Sequence, residues 1–67
     1  MTLAELNSLR PGDRIVYTVR DTQTRGRIIS IWRDDTLVVE WSEGIKDTIP
    51  ITEHESQYLH RAQQGQG

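Results

Sequence analysis

Val38-Val39-Glu40-Trp41-Ser42-Glu43-Gly44 alternates β-forming residues and then breaks into a short polar turn ending in glycine. That is the pattern of a strand running into a tight turn. Upstream, Pro11-Gly12-Asp13-Arg14-Ile15-Val16 reads as a loop that delivers the chain into a first strand. The two stretches together define a small all-β domain.

The intervening sequence supplies further strands. From Arg14 to Arg20, Ile15, Tyr17 and Val19 share one face and Val16, Thr18 and Arg20 the other. Asp21–Gly26 reads as a polar loop, and Arg27–Arg33 as the second strand. Ile28, Ile29 and Ile31 are too dense there for simple alternation, so a β-bulge near Ser30 is expected, turning Ile28 and Ile31 inward. Asp34-Asp35 forms a hairpin turn. Thr36–Trp41 is the third strand, with Leu37, Val39 and Trp41 on one face. Gly44 supplies a positive φ in the turn that follows. Lys46–Ile51 is the fourth strand, and Pro50, which has no N–H, requires an edge or a bulge.

Two short helical turns are expected. Thr2 with Glu5, and Thr52 with Glu55, have the spacing of a capping box. The first would place Leu3, Leu6 and Leu9 on one side, against one end of the sheet. After the second, Gln57–Arg61 forms a short fifth strand with Tyr58 or Leu59 facing inward. Residues 1–9 are thus an N-terminal arm or short helical turn, residues 10–62 the barrel and residues 63–67 a flexible tail. The expected core is Ile15, Val19, Ile28, Ile31, Leu37, Val39, Trp41 and Ile49.

Four hairpin-linked strands, one helical turn and a short last strand resemble the SH3-like barrel, in particular its Tudor-like bacterial versions. The residues carrying the resemblance are Pro11–Val16, Gly26-Arg27-Ile28-Ile29 and Val39–Gly44, in that order and spacing. The resemblance implies a five-stranded all-β barrel with a one-turn helix before the last strand. It does not fix an activity, because such barrels host many functions. The type II dihydrofolate reductases share this layout and a Gly-Asp-Arg opening similar to Gly12-Asp13-Arg14. Their pore, formed between identical subunits, is lined by a Val-Gln-Ile-Tyr run. Lys46-Asp47-Thr48-Ile49-Pro50 stands at the corresponding place and lacks both the Gln and the Tyr, so that activity is a remote alternative.

At 67 residues the chain is one domain. A domain of this size hides only about 60% of the surface its unfolded chain exposes. It has no cysteine, which excludes disulfides and thiolate metal sites. No apolar run approaches the roughly 20 residues needed to span a bilayer. Met1–Leu6 has neither a basic segment nor an apolar stretch of signal-peptide length, so a soluble cytoplasmic protein without membrane association is expected. Net charge is −2, unevenly distributed: residues 1–33 carry +3 and residues 34–67 carry −5.

The residues give no catalytic signature. His54 and His60 lack the spacing of paired metal ligands on a helix. Asp34-Asp35 are neighbours at a hairpin tip, where carboxylates point to water rather than across a cleft. No serine sits in a nucleophile elbow. Neither cofactor nor metal is expected, and the protein reads as a non-enzyme.

Binding is the better fit. Of the four aromatics, Tyr17 and Trp41 are in phase with the core. A cage for a methylated ammonium, with Glu40 and Glu43 beside Trp41, therefore competes with packing. Trp32 is out of phase with Ile31 and is the expected exposed ring. Arg20, Arg25, Arg27 and Arg33 bracket the second strand, and with Trp32 they form the candidate binding set. Arginine beside an aromatic suits phosphate contacts and base stacking. The negative net charge instead favours a protein partner over nucleic acid. A small binding module, monomeric or weakly homo-oligomeric, is the resulting expectation.

Overall fold

The computed structural model describes residues 1–62 as α1 (Leu3–Asn7), β1 (Arg14–Val19), β2 (Thr22–Trp32), β3 (Thr36–Trp41), β4 (Lys46–Pro50), α2 (Glu53–Ser56) and β5 (Leu59–Arg61). The expected flexible tail, residues 63–67, lies outside the described residues. All pairings are antiparallel and the strand order is β4-β3-β2-β1-β5. The chain is all-β, as expected, in an arrangement compatible with a small SH3-like fold. The sheet is open, with β4 and β5 as its two edges.

β2 organises the sheet because it is shared. Thr22–Arg27 pair with β1, and Gly26–Trp32 pair with β3. The register slips between Ile28 and Ser30, the bulge that the three isoleucines anticipate. It lets Ile28 enter the core and brings Ile31 against it.

Asp21–Gly26 is not a loop. Val19 pairs with Thr22, so the β1–β2 connection is only Arg20-Asp21, with Arg20 at φ 55°. The segment is polar because Thr22 and Gln23 lie at the exposed hairpin end and Arg25 faces outward, not because the backbone is irregular. The same exposed end corrects Val19, which is 38% exposed rather than buried. Ile31 and Trp41 are half-buried at the core's margin.

The buried core is Leu6, Leu9, Ile15, Ile28, Leu37, Val39, Ile49 and Leu59. Five of these come from the expected set; Leu6, Leu9 and Leu59 replace Val19, Ile31 and Trp41. The N-terminal turn therefore contributes two fully buried leucines. Its capping box is complete: Thr2 Oγ1 accepts from the Glu5 N–H at 3.1 Å, and the Thr2 N–H donates to Glu5 Oε1 at 2.8 Å. The bond from the Thr2 backbone, and then its side chain, hold the Glu5 carboxyl below the usual carboxylate range. The Met1 ammonium donates to the Ser56 and Leu59 carbonyls at 3.0 and 2.9 Å, tying this turn to α2 and β5.

At the second turn, Thr52 Oγ1 accepts from the Glu55 N–H at 3.2 Å. The reciprocal bond expected of Glu55 is replaced: Glu55 Oε1 accepts from the Tyr17 hydroxyl at 3.1 Å. Gly44 has φ 87°, as its turn requires. Gly26 is a glycine for another reason. A Cβ there would lie 2.6 Å from Trp41 Cε3 and 2.9 Å from Val39 Cγ1. Gly26 and Trp41 are opposite each other in the β2–β3 register, and the indole occupies the space a side chain would need.

Edge strand β4 is chemically blunted. The Trp41 N–H donates to the Ile45 carbonyl and the Ile51 N–H to the Asp35 carbonyl. This phase turns the backbone groups of Lys46, Thr48 and Pro50 away from β3. Pro50 has no N–H to offer, and the Thr48 N–H donates to Asp47 Oδ1 at 2.8 Å.

Candidate binding face

Residues of β2 alternate between the core and the outer surface. Gly26 and Ile28 face inward, so Arg25 and Arg27 face outward. The Ile28 N–H donates to the Asp13 carbonyl at 2.9 Å, which sets the phase of the β1–β2 ladder. Arg14–Arg27 and Val16–Arg25 are then the non-hydrogen-bonded pairs, where opposed Cα atoms come to about 4.5 Å and side chains are closest. Two arginines thus stand directly opposite each other, an unfavourable arrangement in a bare sheet.

On its other side Arg27 faces Glu40 of β3, and Glu40 faces Lys46 of β4. The result is a row across four strands: Lys46, Glu40, Arg27, Arg14. Arg27 Nη2 lies 3.2 Å from Glu40 Oε1. The other ion pair among the described residues joins Arg61 and Asp13 at 3.5 Å. Arg14 and Arg25 have no carboxylate within ion-pair distance among the described residues. An open cleft of about 730 Å³ borders this row, lined by the outward Arg14, Arg25, Arg27 and Glu40 and also by the inward-facing Gly26 and Trp41. A smaller one of about 410 Å³ shares Arg25 with it and reaches His60 of β5.

The five residues singled out in the sequence occupy separate places. Arg25 and Arg27 line the cleft. Arg20 sits in the exposed β1–β2 turn. Trp32, 56% exposed, lies at the far end of β2, about 16 Å from Arg27 at strand rise. Arg33 follows it in the β2–β3 turn at φ 55°, its guanidinium 4.6 Å from the indole centroid. Trp32 and Arg33 therefore pair with each other rather than with Arg27. Sequence reading missed Arg14, because only the strand register reveals that it stands opposite Arg27.

The aromatic residues do not form a cage around Glu40 and Glu43. Tyr17 packs against Trp41 at 6.0 Å and against Tyr58 at 5.9 Å, and His54 meets Tyr58 edge-on at 5.5 Å. These are ordinary packing geometries. Glu40 is engaged with Arg27 on the opposite face. Burial, and then the hydrogen bond to Glu55, raise the Tyr17 phenol above its usual value of 10.0.

Among the described residues no three His, Asp or Glu side chains group closely enough to hold a metal ion. No helix there is long and apolar enough to cross a membrane. Comparison with known proteins found no matching family, no matching curated protein and no matching solved structure.

Proposed function

We propose that this protein is a small, non-catalytic binding module of SH3-like, Tudor-like type that recognises a protein partner through the outer face of β1–β3. One observation carries the reading: Arg14 and Arg25 stand unpaired beside Arg27 around an open cleft. Like charges held opposite one another cost folding free energy. A binding surface gives a reason to keep them. The partner is a protein because the basic patch is short and the chain as a whole is acidic.

The test is affinity capture from nuclease-treated lysate, comparing the parent with the Arg14→Glu/Arg25→Glu variant. Protein retained by the parent and lost by a folded variant supports the reading. Equal capture by both refutes this face. Nucleic acid is the second reading, favoured by the exposed Trp32 with Arg33 stacked on it, a cation–aromatic pair suited to single strands. It requires binding that nuclease abolishes.

A further inference from the structure

We infer that the cleft takes an extended acidic peptide segment whose carboxylates alternate along the strand, at positions i and i+2. The inference rests on the protein-partner reading and specifies the chemistry of the partner.

The argument begins with the charge left over. Glu40 already holds Arg27, so the uncompensated groups are the guanidiniums of Arg14 and Arg25. In the β1–β2 register these two are diagonal neighbours, because Arg14 is opposite Arg27 and Arg25 lies two residues along β2. Such diagonal positions are about 7–8 Å apart. Same-side residues of an extended peptide repeat at nearly that spacing, about 6.6–6.8 Å. Each carboxylate can then meet one guanidinium in the two-pronged geometry that arginine favours. Intervening side chains would point away from the sheet.

The surroundings favour carboxylates on a peptide over a phosphate chain. A nucleic acid strand binds through a track of many cations. Here the unpaired pair is only two guanidiniums, bounded by Glu40 within the row. Strand binders also offer rings on which bases stack. The aromatic residue at this cleft, Trp41, is committed to packing over Gly26. Trp32 lies at the other end of β2.

The experiment is a titration of arginine-labelled protein, following the Nε–Hε signals by NMR. The probe is a capped octapeptide of alternating Glu and Thr; controls are the Gln–Thr counterpart and a single-stranded DNA oligonucleotide. The expected result is saturable shifts at Arg14 and Arg25, several-fold weaker at moderate than at low salt. They should be absent with the Gln peptide, and in a folded Arg14→Gln/Arg25→Gln variant the Glu peptide should no longer perturb the neighbouring Arg27 signal. An unmoved spectrum at millimolar peptide overturns the inference, as does an equal response to the Gln peptide. DNA moving the same signals at lower concentration overturns it in favour of nucleic acid. The lysate capture separates the two levels. If the peptide fails but nuclease-resistant capture still depends on Arg14 and Arg25, the acidic motif falls and the protein reading stands. If both fail, both fall.

Discussion

Gly26→Ala should destabilise the fold, although alanine is ordinarily the better strand residue. The added Cβ would lie 2.6 Å from Trp41 Cε3, 2.9 Å from Val39 Cγ1 and 3.0 Å from Trp41 Cζ3. Carbon atoms rest comfortably at about 3.5–4.0 Å, so the indole must retreat by about 1 Å. Overpacking of this kind costs about 1–3 kcal/mol. Alanine offsets part of it by restricting the unfolded chain, worth about 0.4–1 kcal/mol. A net loss of about 1–2 kcal/mol remains, which for a domain this small lowers Tm by about 5–15 °C. Urea unfolding followed by tryptophan fluorescence measures it. The same substitution in a Trp41→Leu background should cost clearly less, because a leucine in place of the indole can yield to the new methyl. A Gly26→Ala protein as stable as its parent, or an equal loss in both backgrounds, would refute the close-approach explanation.

Arg14→Gln should raise stability by about 0.2–1 kcal/mol at low salt while weakening ligand binding, because it removes the like-charge pair with Arg27. The gain should shrink with added salt in parallel urea melts. Leu9→Ala should cost about 2–5 kcal/mol, whereas Val19→Ala, at the exposed hairpin end, should stay within about 0.5 kcal/mol in the same assay. The Tyr17 phenol keeps its proton more firmly folded than unfolded. Its contribution to stability is complete below pH 10 and is lost as pH rises through the folded value. Glu55→Gln should move the phenolate absorbance transition downward, leaving it above the ordinary position because burial persists.

What the sequence revealed, it revealed through local rules. Alternation places Thr36–Trp41, crowding of isoleucines places the bulge, and both N-cap threonines announce their turns. What it concealed depends on contacts between distant segments. Thr22–Gly26 looks like a loop because it is polar, yet every residue of it pairs with β1 as strand. Leu6 and Leu9 look like an arm too short to hold itself, and the sheet holds them. The candidate face shows the same divide. Phase identifies the exposed Trp32, and clustering around the second strand picks out Arg25 and Arg27, but only register puts Arg14 opposite Arg27 and leaves Trp32 and Arg33 far away.

The geometry of β4 bears on how this chain behaves in a crowd. A strand edge is a template on which another extended chain can dock, one hydrogen bond after the next. Along Lys46–Pro50 three backbone positions point outward, and two of them have no donor to give: Pro50 lacks one and Thr48 has spent its own on Asp47. Lys46 retains its N–H but carries a charge that resists stacking of like copies. A fibril seeded at this margin would have to grow with two of its three donor rungs missing. The Asp47 carboxylate thus acts as a guard against misassembly, and its removal should be felt first in the test tube at high concentration, as a shorter lag before aggregates form.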